Sequence, residues 1–187
     1  GGRVVALKVM SLGGGTCVRE RFRREVLSLA DVHHPHLAEV YGFGEQGGLL
    51  YYAMELVSGP SLREVLAFWS DQDQPPGAVP AVCRAIVEWG AQVASALGAL
   101  HRTDLVHRDV KPSNIMVHGP RLAGLSGRAV TGSSGQARGV APDALLAGGA
   151  VLIDFGLVKP LGPEDATWTM AGAASRAYAP PEQLLGQ

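Results

Sequence analysis

His107-Arg108-Asp109-Val110-Lys111-Pro112-Ser113-Asn114 is the stretch on which the reading of this chain turns. Asp109, Lys111 and Asn114 bring a carboxylate, an ammonium and a carboxamide into six residues. A carboxylate can orient or accept a proton, an ammonium can neutralise developing negative charge, and an amide oxygen suits a hard cation. The run reads as a loop between short apolar pieces, Val106 to Val117. Downstream, Val151-Leu152-Ile153 is a buried-strand signal, and Asp154-Phe155-Gly156 stands at its end with a second acid. The plain alternative for His-Arg-Asp is a helix C-terminal turn with a salt bridge.

The two motifs, in this order, resemble the catalytic loop and the metal-binding loop of eukaryotic-type serine/threonine protein kinases. Either motif alone is weak, and the ordered pair is specific. Further matches lie on both sides. Val5-Ala6-Leu7-Lys8 resembles the family's lysine-bearing strand, Met54-Glu55-Leu56-Val57 its hinge, and Ala177-Tyr178-Ala179-Pro180-Pro181-Glu182 its Ala-Pro-Glu segment, with Pro180 where alanine is usual. Ser175 stands where threonine is usual and keeps the hydroxyl. The Gly/Ala-rich composition looks more like bacterial members than animal ones.

The resemblance implies an α+β two-lobe fold and an ATP- and Mg²⁺-dependent transfer of the γ-phosphoryl group to Ser/Thr hydroxyls of a protein substrate. It divides the chain into a small lobe at residues 1–54, a hinge at 55–59 and a large lobe at 60–187. Asp109 would orient the substrate hydroxyl, and Lys111 would neutralise charge on the transferred group. Asn114 and Asp154 would hold Mg²⁺. Lys8 would contact the α/β-phosphates, held there by an ion pair with Glu25 on the following helix. Backbone groups of Glu55 and Val57 would bond adenine, with Met54 behind it and Ala6 and Ile115 or Val117 around the ring. Each residue also has a bland reading, as a solvated charge or as core. Thr167 and Thr169 would be activating phosphorylation sites, with Arg108 as a phosphate partner. His107 and Phe155 read as packing residues.

Composition agrees with a globular domain: apolar residues make up 47% and charged residues 18% of 187. A net charge of −1 provides no field for nucleic acid or an anionic membrane. No apolar run reaches ~18 residues, so this segment is expected to make no membrane contact. Cys17 and Cys83 lack any paired spacing, which points to a reducing, cytoplasmic setting, with anchoring of the parent protein left open. His33, His34 and His36 invite a metal reading, but beside Pro35 and without other ligands a solvated loop is the better one.

Periodicity supplies the elements. Val4 to Met10 reads as a strand, and Arg19 to Ala30 as a helix with Phe22, Val26 and Leu29 inward. Leu37 to Phe43 and Leu49 to Leu56 read as strands around a turn at Gly44 to Gly48. Ser61 with Glu64 forms a capping-box pattern. Val82, Ile86, Trp89, Val93, Leu97 and Leu100 form one stripe of a long helix. Gly119 to Gly149, rich in Gly, Ala and Ser, reads as an insertion.

The phosphate-covering Gly-rich loop of the family is absent before Lys8, and Gly13-Gly14-Gly15 does not replace it. The chain is therefore expected to be the middle of a kinase domain, cut at both ends and poorly active in isolation. A pseudokinase scaffold and a small-molecule phosphotransferase are the other classes. The full set of catalytic residues argues against the first, Lys111 and the Ala-Pro-Glu-like segment against the second.

Overall fold

The structure is a computed structural model and describes residues 2–11, 16–70, 78–118, 148–155 and 178. In chain order the elements are β1 (Val5–Ser11), α1 (Thr16–Ala30), β2 (Val40–Gln46), β3 (Leu49–Glu55), α2 (Leu62–Ser70) and α3 (Ala78–His101). A 3₁₀ turn (Pro112–Asn114) and a short hairpin, β4 (Ile115–His118) and β5 (Gly149–Leu152), follow. The expected α+β class holds. Gly13 to Gly15, Asp71 to Gly77, most of the insertion, Gly156, Thr167, Thr169, Ser175 and Glu182 lie outside the described residues.

Strands β1, β3 and β2 make an antiparallel sheet in the order β1-β3-β2. Register pairs Lys8 with Tyr52 and Ala6 with Met54. Directly opposed residues share a face, so Ala6, Lys8 and Met10 look the same way as Met54, Tyr52 and Leu50. The other face carries Leu7 and Val9, both exposed. Helix α1 covers the inner face with Phe22, Val26 and Leu29, all buried. Phe22 meets Phe43 edge-on at 6.3 Å and Tyr52 at 6.4 Å. The helix begins three residues before the expected Arg19. Thr, Cys and Val are weak helix formers, so the sequence signal starts late.

The β2–β3 turn is tighter than expected. Only Gly47 and Gly48 form it, with φ of 59° and 79°. Two successive positive φ values match the twist of the flanking strands and favour glycine, so Gly44 stays within β2. The capping box at α2 is present as expected. Ser61 N–H donates to Glu64 Oε2 at 2.7 Å, and Glu64 N–H donates to Ser61 Oγ at 3.3 Å.

Helix α3 buries Trp89, Val93 and Leu100 of the expected stripe, and Val82 and Leu97 pack against the core, while Ile86 is 37% exposed. Ala81, Ala85, Ala96 and Ala99, which the sequence reading left out, are buried with them. Alanines let the helix lie close against β5, whose Ala150 and Leu152 are fully buried. Gly149 belongs to β5, so the insertion ends earlier than read. The segment after α1 is stitched to the same strand: Ala38 N–H donates to Leu152 O, and Leu152 N–H to His36 O, both at 2.9 Å. His36 Nδ1 lies 2.9 Å from Ala150 O, and His34 Nε2 lies 3.1 Å from Ser95 Oγ. These contacts fix where the β4–β5 hairpin stands relative to the sheet.

Candidate active site

The catalytic-loop motif is delivered by a reversal after α3. Leu105 N–H donates to Leu100 O at 3.1 Å, and Asp104 adopts a left-handed φ of 58°. The chain then enters the core at His107, which is 2% exposed. Its Nδ1 lies 3.3 Å from the Asp109 amide, a group that can only donate. Nδ1 is therefore the acceptor, and the proton sits on Nε2, which donates to Ile153 O at 3.1 Å. Burial holds the ring neutral and pushes its pKa down to about 4, against the opposing pull of the Ile153 carbonyl and the charges of Asp109 and Asp154. Phe155 packs on it, with ring centroids 5.0 Å apart. His107 packs, as read from sequence, and it also ties the backbones of the two motifs together.

Asp109 follows Arg108, whose φ is 62°. One oxygen of Asp109, Oδ2, takes two donors: Lys111 Nζ at 2.8 Å and Asn114 Nδ2 at 2.9 Å. Asn114 Nδ2 also reaches Asp109 O at 2.8 Å. Asn114 is 4% exposed, and its own carbonyl accepts the Ile153 amide at 2.8 Å. The 3₁₀ turn therefore packs the acid, the lysine and the amide of the sequence motif into one hydrogen-bonded unit. That unit is bonded directly to the residue before Asp154.

Asp154 has a φ of 65°, uncommon for a residue with a side chain and typical of functional positions. Its Oδ1 pairs with Lys8 Nζ and accepts the Tyr52 hydroxyl at 3.3 Å. Tyr52 is fully buried, and burial first, then the Asp154 charge, raises its pKa well above the usual tyrosine value. The hydroxyl therefore stays a donor. The sequence reading missed Tyr52. Its only signal there was its place two residues before Met54, on the inward face of an alternating strand.

Glu25 Oε1, expected beside Lys8, lies 3.5 Å from Arg108 NH1. Lys8 pairs with Asp154. Glu25 and Arg108 line a cavity of about 240 Å³ between α1 and the end of α3, which Leu29, Leu100 and Phe155 help enclose.

Met54 is 9% exposed, at the inner edge of the strand leading to residues 55–59. The Glu55 amide is engaged by Glu39 O at 2.8 Å, and Val57 is half-buried. Ile115 and Val117 are 8% and 0% exposed and belong to the core. Strand alternation turns both toward the core. Met116, between them, is the half-buried side chain on the opposite face.

The oxygen donors suit a hard divalent cation. Asn114 points Nδ2 at Asp109, its amide oxygen is the remaining acceptor of that carboxamide, and Asp154 adds a carboxylate. Comparison with known proteins agrees with this chemistry. The family model for the protein kinase domain matches residues 1–187. The chain is 33% identical over 184 residues to serine/threonine-protein kinase PknL of Mycobacterium tuberculosis, covering 97% of this chain and 37% of that protein. It is 33% identical over 180 residues to serine/threonine-protein kinase pkn2 of Myxococcus xanthus, covering 95% of this chain and 20% of that protein. It therefore spans well under half the length of either relative. The crystal structure of the Mycobacterium tuberculosis PknI kinase domain superimposes with a TM-score of 0.54 at 28% identity, over 83% of this chain and 50% of that one. With its two acids brought to one hydrogen-bonded unit and the family's pattern running from end to end, the chain belongs to the protein kinase domain family.

Proposed function

We propose that the chain is the catalytic segment of an ATP- and Mg²⁺-dependent serine/threonine protein kinase. The observation that carries this reading is the Asp109 carboxylate, clamped by Lys111 and Asn114 on a loop bonded to the residue before Asp154. Asp109 orients the substrate hydroxyl and takes up its proton as the oxygen attacks. Lys111, already beside that carboxylate, neutralises charge on the phosphoryl group in transfer. Asn114 and Asp154 hold Mg²⁺, which when bound shields the phosphate charges. Lys8 reaches the α/β-phosphates. Glu25 supports Lys8 once it has left Arg108.

Adenine lies between Ala6 and β4, with Met116 the side chain that meets it in place of Ile115 and Val117. The Glu55 carbonyl and the Val57 backbone face its edge, and Met54 closes the rear. In this reading residues 1–54, 55–59 and 60–187 are small lobe, hinge and large lobe. The partner is a protein bearing Ser or Thr, with neither nucleic acid nor membrane engaged by this segment, and the setting is cytoplasmic. No helix among the described residues is long and apolar enough to cross a membrane. A pseudokinase reading has no specific observation in its favour, since Lys8, Asp109, Lys111, Asn114 and Asp154 are all present.

The test uses the full-length protein. Asp109→Asn should lower kcat on a protein substrate by at least about 10²-fold while nucleotide binding is kept. Wild-type turnover in that variant would refute the assignment of Asp109.

A further inference from the structure

We infer that Tyr52 is a positioning residue for Asp154, fixing which carboxylate oxygen is turned toward a divalent cation. The inference rests on the reading of Asp154 as a metal ligand.

Tyr52 occupies a position where an apolar ring would serve the core. It is 0% exposed and packs against Phe22 at 6.4 Å. A phenylalanine would fill the same space. A buried hydroxyl without a partner is costly, so its presence calls for an acceptor, and that acceptor is Asp154 Oδ1 at 3.3 Å. Tyr52 also lies directly across the β1–β3 ladder from Lys8. Side chains on adjacent strands thus bring two donors to one oxygen. Among the described residues both bonds to Asp154 land on Oδ1.

Two donors on the same oxygen fix the rotation of a carboxylate, and Oδ2 becomes the atom presented outward. Lys8 alone could not do this durably, because the phosphates of a bound nucleotide compete for its charge. Tyr52 has no such competing role. Its ring is locked in the core, and its hydroxyl has no charge to lend to phosphate. It holds Oδ1 whether or not Lys8 stays.

The experiment uses the full-length protein and Mn²⁺ as probe, with bound metal counted by electron paramagnetic resonance in the presence of a non-hydrolysable ATP analogue. Tyr52→Phe removes only the hydroxyl, and Tyr52→Met provides a second variant that lacks it. Both should weaken Mn²⁺ binding three- to tenfold. Metal-free nucleotide affinity should stay within twofold of wild type, and raising the metal concentration should restore turnover. A merely structural role would instead depress metal-free nucleotide binding to the same degree as metal binding. Mn²⁺ affinity unchanged within twofold, or tighter, in a folded Tyr52→Phe protein overturns the inference. Asp154→Asn separates the two ideas. If it too leaves Mn²⁺ affinity intact, the reading of Asp154 fails and the inference with it. If it removes Mn²⁺ binding while Tyr52→Phe matches wild type, only the inference fails.

Discussion

Acidification should weaken this fold through His107, and the size of the effect can be worked out. Burial, the dominant cause, lowers the ring's pKa from 6.5 to about 4 in the folded state. The unfolded chain therefore takes up the proton first as pH falls. The contribution is fully favourable above pH 6.5, declines through the window from 6.5 to 4, and is lost below it. One pKa unit corresponds to 1.36 kcal/mol, so the full loss is about 3 kcal/mol, and about 2 kcal/mol is gone by pH 5. That is a large share of a folding margin of about 5–15 kcal/mol. The geometry gives the same sign. A proton on Nδ1 would remove the acceptor of the Asp109 amide and leave that amide unsatisfied.

Urea denaturation at pH 7.5 and pH 5 measures it, with His107→Phe as the reference. The variant loses the bonds to Ile153 O and Asp109 N and is less stable at both pH values, but that loss does not titrate. Other groups contribute equally to both proteins and cancel. Wild type should lose about 2 kcal/mol more than His107→Phe between the two pH values. Equal losses would refute the claim that His107 is held neutral by burial.

Gly59→Ala should destabilise the protein by about 1–3 kcal/mol: Gly59 has φ 149°, and a Cβ there would lie 2.2 Å from Val117 O. Unchanged urea stability would show that the chain has room to shift. Ser61→Ala should cost about 1 kcal/mol of stability by loss of the α2 cap, read from the same denaturation curves. A double-mutant cycle on Glu25 and Arg108 should give a coupling of less than about 1 kcal/mol, because the pair is long at 3.5 Å and the two side chains are 18% and 32% exposed. A coupling above about 2 kcal/mol, in the range of buried pairs, would make it a lock.

The parts of the fold legible in the sequence are those set by local chemistry. Ser61 and Glu64 signal a helix start whatever surrounds them, and they cap α2. The order of Asp109, Lys111, Asn114 and Asp154 is legible for a similar reason, since a single loop and the strand beside it build the unit. The rest was hidden for three reasons. Parity of a strand is invisible without its partner, so the sequence could not show that Ile115 and Val117 face the core and Met116 the other way. Weight given to large side chains left the alanines out of the α3 stripe and put Ile86 in. Ile86 is bulkier than Ala81, Ala85 and Ala96, yet it is exposed while close approach of β5 selects the alanines. Partner choice among charges was also out of reach. Glu25 could have reached a lysine on the sheet or an arginine on the loop, and only the placement of α1 decides between them.

That choice bears on how the site would become active. The structure pairs Glu25 with Arg108 and Lys8 with Asp154, so both charges needed for a Lys8–Glu25 pair are engaged elsewhere. All four side chains remain partly exposed, between 18% and 32%. Pairs of this exposure are worth about 0–1 kcal/mol each. Giving up both pairs therefore costs on the order of 1–2 kcal/mol at most from the ion pairs themselves, a ratio of roughly tenfold against the exchanged arrangement. Ligands need only a modest preference to invert such a ratio. Lys8 loses its electrostatic reason to stay on Asp154 once a divalent cation shares that carboxylate, while Tyr52 keeps its hold on Oδ1. Arg108 loses its claim on Glu25 if a phosphate on the segment after Asp154 offers it a stronger acceptor. Either event alone moves one ion pair, and the two together favour a Lys8–Glu25 pair.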